Sequence, residues 1–155
     1  MKLKKTRISN HEIVGPMPPI HKEKPDQDGN FPRGVSNRNA GLEFVLGHVQ
    51  ATGDTSGVIY FADDDNTYDI RLFTEIRKTQ KVSMFPVGLV SGSPVSTPIV
   101  QEDQLLGFYL GWEGNRKFPL DMAGFAFTLS HYRKVCQYGM VSMPYIKGYE
   151  EDGFL

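Results

Sequence analysis

A single cysteine, Cys136, rules out a disulfide within the chain. It neither selects nor excludes an oxidising compartment, and a buried or inert thiol is its default role. Excess charge of either sign is also missing. The 17 Lys and Arg against 18 Asp and Glu leave a net charge of -1, so there is no electrostatic footprint for nucleic acid or an anionic membrane. Lys2, Lys4 and Lys5 make only a short, solvated basic end. No apolar run approaches the length that spans a bilayer, and Met1 is followed by polar sequence without an apolar signal core. As written, the chain carries no address. Repeats and low-complexity segments are absent too. What remains, 155 residues with 39% hydrophobic and 12% aromatic content, is one globular domain's worth of chain, long enough to bury a core.

The most informative stretch is the apolar run Val58-Ile59-Tyr60-Phe61-Ala62 followed at once by Asp63-Asp64-Asp65-Asn66-Thr67-Tyr68. Three adjacent carboxylates repel one another and call for a cation, and a buried strand gives them a rigid base. A strand end at the carboxyl edge of an open α/β sheet is where such sheets bind ligands. Carboxylate oxygens are hard donors that suit Mg, Ca or Mn, and those ions recruit phosphates to fill their remaining positions. A metal–diphosphate site is the first expectation. The competing reading is an acidic loop capping the next helix, with Asp65, Asn66 or Thr67 as N-cap. A calcium helix-loop-helix fails in either register: from Asp63, Tyr68 stands where Gly is required and Thr74 where Glu is required; from Asp64, Asp69 takes the Gly position.

Along the chain, residues 11–15 read as a short strand and about 16–32, rich in Pro, Gly and charge, as a mobile loop. Ser36 or Asn37 can cap a helix whose apolar face is Leu42, Val45, Leu46 and Val49. After a turn over 51–57 comes the strand 58–62, then a helix with Ile70, Phe73 and Ile76 as its core stripe. Helix, strand and helix in succession argue for an α/β sheet. Residues 82–90 read as a buried strand broken at Pro86, 105–112 as part of an antiparallel ribbon, and 124–136 as the start of a helix. No strand-loop-helix unit precedes His11 to form half of a nucleotide pocket, so the chain reads as N-terminally incomplete.

Four segments together carry a resemblance. They are Pro32-Arg33-Gly34-Val35-Ser36-Asn37-Arg38-Asn39, the block from Tyr60 to Tyr68, the strand region 82–90, and Phe118-Pro119-Leu120-Asp121-Met122-Ala123-Gly124-Phe125-Ala126. In this order and spacing they resemble the β-1,3-glucuronosyltransferases of glycosyltransferase family 43, over about 11–155. The resemblance implies a GT-A fold, UDP-glucuronic acid as donor, Mn2+ as cofactor, a galactose-terminated glycan such as the proteoglycan linkage region as acceptor, and inversion at the anomeric carbon. It also implies a Golgi membrane location on the lumenal side, although this chain holds no anchor, and a homodimer.

By the same resemblance Asp65 holds the metal, Asp63 and Asp64 lie near the uridine and ribose, and Arg33 and Arg38 bind the donor. Two guanidinium forks near a helix start suit a diphosphate and a sugar carboxylate. Trp112 and Asp121 match acceptor-facing positions and Arg116 a donor-facing one; an aromatic face on a pyranose, with a guanidinium and a carboxylate on its hydroxyls, is chemically apt. Gly148-Tyr149-Glu150-Glu151 resembles the family's Gly-aromatic-x-Glu element, a register that selects Glu151 as the catalytic base over Glu150. Some features depart from the pattern. The opening strand with its uracil-stacking Tyr and the late His-containing strand have no counterpart, and Ser96 stands where a Glu contacts the acceptor galactose. The expectation is therefore a partial catalytic domain over 1–155, shortened at both ends, with a non-catalytic metal- or nucleotide-binding fragment as the alternative.

Overall fold

The spacing of Leu42, Val45, Leu46 and Val49 predicts one long amphipathic helix, and a computed structural model contains it as α1, Val35–Thr52. The structure describes residues 32, 34–90, 92–109 and 115–155, so the strand expected at 11–15 and the loop at 16–31 lie outside the described residues. Val35, Leu42 and Val49, each two turns from the next, are the fully buried members of the helix face. Neither Ser36 nor Asn37 caps α1. The N-cap is Gly34, with φ 73 and no side-chain hydrogen bond. A Cβ at that position would stand 2.9 Å from the Arg38 guanidinium, so Gly34 leaves room for Arg38 to lie across the helix start. At the other end Gly53, also left-handed at φ 71, donates its N–H to the Val49 carbonyl at 2.8 Å and stops the helix.

The main sheet has the strand order β1-β6-β2, where β1 is Val58–Tyr60, β2 is Val82–Met84 and β6 is Phe125–Thr128. Both pairings are antiparallel, with Ile59 opposite Phe127 and Ser83 opposite Ala126. All four residues of β6 are buried. It was expected to begin a helix. The helix α3, Leu129–Val135, begins only after Thr128, whose hydroxyl accepts from His131 N–H as its N-cap. A second sheet, β3-β4-β5, is built from Val87–Val90, Ser93–Gln101 and Gln104–Tyr109. The expected single strand over 82–90 is thus two strands, and the break at Phe85 and Pro86 passes the chain from one sheet to the other. The ribbon expected near 105–112 is present as the β4–β5 hairpin as far as Tyr109.

The short helix α2, Ile70–Ile76, buries only Ile76, while Ile70 is 81% exposed and Phe73 lies at the surface margin. The expected three-residue stripe is therefore corrected to one core contact. A helix this short takes its orientation from its cap and its neighbours, because no long apolar face fixes it. The mixed helix and sheet content is compatible with the α/β class, although every strand pair among the described residues is antiparallel. The carboxyl-edge rationale of parallel sheets does not apply to β1 and its partner β6.

The core joins Val35 and Leu42 of α1 to Phe125 and Phe127 of β6, Leu120, Met122, Tyr132 and Met143. Phe61, Phe125, Phe127, Tyr132 and Phe154 form one aromatic cluster, the closest pair being Phe127 and Phe154 with ring centroids 5.4 Å apart. Contacts of this kind dock the C-terminal residues on the sheet and contribute beyond their buried area. The first turns of α1 are held from the same side. Asn39 Nδ2 donates to the Met143 carbonyl at 3.0 Å while Met143 N–H donates to Asn39 Oδ1 at 2.8 Å, and Ser36 Oγ lies 3.2 Å from the Tyr145 hydroxyl. Met143 is only 1% exposed, so an Asn39→Ala chain leaves a buried donor and acceptor unpaired. Urea unfolding should register a loss of about 2–3 kcal/mol. A difference below about 0.5 kcal/mol would contradict the clamp.

Candidate active site

Because β1 ends at Tyr60, the chain leaves the sheet through Phe61 and Ala62 and turns at Asp63, Asp64 and Asp65. The three carboxylates do not share one environment. Asp63 forms an ion pair with Arg38 from α1, and its carbonyl accepts from the Tyr68 hydroxyl at 2.8 Å, which closes the turn. Asp64 and Asp65 are exposed. The next helix is capped by Asp69, whose side chain accepts from Arg71 N–H at 2.9 Å. Asp65, Asn66 and Thr67 are therefore not the cap, and capping does not account for the acidic run.

Asp65 lines a cavity of about 600 Å³ together with Asn66, Thr67, Tyr68, Phe85 and Gly88. Among the described residues it makes no ion pair, and no three His, Cys, Asp or Glu side chains converge on one point. A cation at Asp65 would have one hard carboxylate oxygen from this segment and would draw its other ligands from bound oxygens. That donor set fits a Mg- or Mn-type ion completed by phosphate and water.

Tyr60 stands behind this turn. Its hydroxyl donates to the Ala123 carbonyl at 3.1 Å, and its ring meets Tyr68, Phe73 and Phe85 at centroid distances of 6.0 to 6.3 Å. Burial, and then the neighbouring Tyr68, Asp121 and Asp63, push its phenol up to about 12. The phenol stays protonated as a donor to the Ala123 carbonyl. Asp121 Oδ1 accepts from Ala123 N–H at 2.9 Å, capping the 3₁₀ turn Met122–Gly124 that feeds β6.

The third part of the site is the C-terminal turn. Phe154 and Leu155 donate their N–H groups to the Glu151 carbonyl at 3.1 and 3.0 Å, and the Phe154 ring anchors the turn 6.1 Å from Phe61, two residues before the aspartates. Glu151 faces Arg116, whose Nη1 lies 3.9 Å from Glu151 Oε2; the two side chains are 14% and 5% exposed. Arg116 Nη1 also donates to the Leu120 carbonyl at 3.4 Å. Burial above all, with help from Glu150 and Asp121, raises Glu151 from the usual 4.5 to about 7, against the opposing pull of its own backbone N–H and of Arg116. Between those two pH values the folded chain holds a proton that the unfolded chain has released. The fold therefore loses stability as pH rises through that window, by about 3 kcal/mol in full. The gain is a carboxylate poised to take a proton near neutrality.

The structure thus brings Arg38 and Asp63, Arg116 and Glu151, and Asp121 into one neighbourhood around β1 and β6. Arg33 and Trp112 lie outside the described residues. Ser96, at the position of the missing Glu, is buried on β4 opposite Val87. Sequence reasoning missed Tyr60, Tyr68, Asn39 and Phe154. Tyr60 and Tyr68 flank the aspartates and carry a polar tip on an aromatic body, a signal that was available. Asn39 gives none apart from its tertiary partner.

Comparison with known proteins bears on the whole region. The family model described as Glycosyltransferase family 43 matches residues 2–155. Galactosylgalactosylxylosylprotein 3-beta-glucuronosyltransferase P of Drosophila melanogaster is 50% identical over 143 residues, covering 92% of this chain and 28% of that protein. Its S counterpart from the same organism is 50% identical over 144 residues, 92% of this chain and 32% of that protein. Galactosylgalactosylxylosylprotein 3-beta-glucuronosyltransferase 3 of Mus musculus is 51% identical over 106 residues, 63% of this chain and 32% of that protein. The chain spans under a third of the length of each of these relatives.

Proposed function

The chain belongs to glycosyltransferase family 43, and we propose that it carries the catalytic-base and metal-turn portion of an inverting 3-beta-glucuronosyltransferase. The observation that carries this reading is the enclosure of Glu151 by Arg116 and Asp121 on a turn that Phe154 docks against Phe61, beside the aspartates. A buried carboxylate with its pKa raised to about 7 is a suitable general base at neutral pH.

In the proposed reaction Glu151 takes the proton of the 3-hydroxyl of a terminal galactose. That oxygen bonds to the anomeric carbon of UDP-glucuronic acid from the face opposite the leaving group. The anomeric carbon–phosphate oxygen bond breaks, UDP departs, and one displacement inverts the configuration. Arg38, fixed at the start of α1 by Gly34 and by its ion pair with Asp63, is directed to the donor, with Arg33 beside it in sequence. Asp63 and Asp64 are assigned to the uridine and ribose. Arg116 lies against the donor sugar, and Asp121 and Trp112 orient the acceptor. Mn2+, held by Asp65, would supply Lewis-acid stabilisation to the departing diphosphate. The GT-A fold, the proteoglycan linkage acceptor, the homodimer and the lumenal Golgi membrane location belong to the same proposal; no described helix is long and apolar enough to cross a membrane.

The pH dependence of kcat/KM tests the assignment of the base. Since a raised pKa means the carboxylate is lost as pH falls through it, the rate should drop tenfold per pH step below an inflection near 7. A profile that stays flat down to about pH 5, as an ordinary carboxylate would give, contradicts the reading.

A further inference from the structure

We propose that Asp152 is a positioning residue: its carboxylate holds the Phe118 N–H and thereby keeps the segment carrying Arg116 and Asp121 closed over Glu151. The inference rests on the reading of Glu151 as the base, and it concerns what keeps that base enclosed. Asp152 Oδ1 accepts from Phe118 N–H at 2.5 Å, a contact between groups 34 residues apart in the chain. Phe118 sits between Arg116 and Asp121 in sequence, so one charge-assisted hydrogen bond fixes both groups relative to the turn. The approach of Arg116 to Glu151 is a looser contact. Arg116 Nη1 and Glu151 Oε2 are 3.9 Å apart, too far for a hydrogen bond. The segment has its own internal order, with Leu120 N–H donating to the Phe118 carbonyl at 2.8 Å and Arg116 Nη1 reaching the Leu120 carbonyl at 3.4 Å. These contacts hold Arg116, Phe118 and Leu120 together, and Asp152 ties that segment to the turn.

Burial is the largest influence on Glu151, followed by its own backbone N–H, Glu150 on its own turn, and Arg116 and Asp121 from the facing segment. Asp152 is not among them. Its removal is accordingly expected to reach Glu151 through water entry when the segment loosens, which returns the carboxyl toward its ordinary value.

The test is a 13C carboxyl NMR titration of the full 155-residue chain, with the Glu151 signal assigned by its disappearance in Glu151→Gln. Asp152→Ala should move Glu151 at least halfway from about 7 back to 4.5, whereas Asp152→Asn, which keeps an acceptor oxygen, should leave it where it was. Equal movement in both variants would assign the effect to charge and overturn the proposal, as would no movement in Asp152→Ala. Should Asp152→Ala not fold, Asp152→Ser, whose shorter side chain no longer reaches the Phe118 N–H, is read in its place: movement of Glu151 toward 4.5 supports the clamp and a value kept near 7 overturns it. This readout is independent of turnover. A failure of Glu151→Gln to slow transfer would refute Glu151 as base while leaving the titration result standing.

Discussion

Glu151→Gln should lower turnover about 10²- to 10⁴-fold in an assay of UDP release with a galactoside acceptor, the range that general-base removal produces. Gln fits the same space and keeps a polar contact toward Arg116, but it cannot take the acceptor proton. The loss should fall on kcat and on kcat/KM alike, with UDP affinity nearly unchanged, because the interaction is made in the chemical step. Glu150→Gln should change turnover by less than about threefold, since Glu150 acts on the site only as a neighbouring charge on Glu151. The reverse ranking of the two variants would move the base by one position and undo the assignment.

The second large effect is expected at the aspartate turn. Asp65→Ala should abolish Mn2+ binding measured by isothermal titration in the presence of UDP. Loss of a metal's outer-shell support alone costs about 10- to 100-fold in affinity, so loss of the carboxylate assigned to hold the ion should exceed that. The binding should depend on UDP, because a single carboxylate leaves coordination positions that diphosphate oxygens fill. Asp63 is a different case. It is committed to Arg38 and, through its carbonyl, to Tyr68, so Asp63→Ala should loosen the helix start and weaken donor binding in preference to metal binding. Equal Mn2+ affinity in wild type and Asp65→Ala with UDP present would remove Asp65 from the metal.

How much of this was readable beforehand differs from element to element. The α1 face was legible because Leu42, Val45, Leu46 and Val49 fill every position of one i, i+3, i+4, i+7 face inside an 18-residue helix. The strand β5 and the aspartate turn after an apolar strand were legible for similar local reasons, whereas β5's partner β4, Ser93–Gln101, was not anticipated. β6 was not. Phe125-Ala126-Phe127-Thr128 runs directly into the apolar start of α3, and a short, doubly buried strand cannot be told from a helix by periodicity. Ile70 was misread because a two-turn helix carries too few positions to define a face. At the site, the motif residues were identified by resemblance, yet their environments were not. The raised pKa of Glu151 comes from its burial, in a turn whose Phe154 packs on β6 and whose Asp152 accepts from the Phe118 N–H, 34 positions earlier. Two adjacent glutamates in a tail read locally as solvated surface, and only the tertiary contacts separate them.

The function proposed for this region joins a base and a metal turn in the transfer of glucuronic acid to a galactose hydroxyl. Incubating the chain, restored to the length of its relatives, with UDP-glucuronic acid, Mn2+ and a galactose-ended oligosaccharide, and following product and UDP together by proton NMR, gives the sharpest test. The account predicts one UDP released per glucuronic acid linked, a β-configured anomeric proton and attachment at the galactose 3-oxygen. UDP release indifferent to the galactoside, or a product of retained α-configuration, would contradict it.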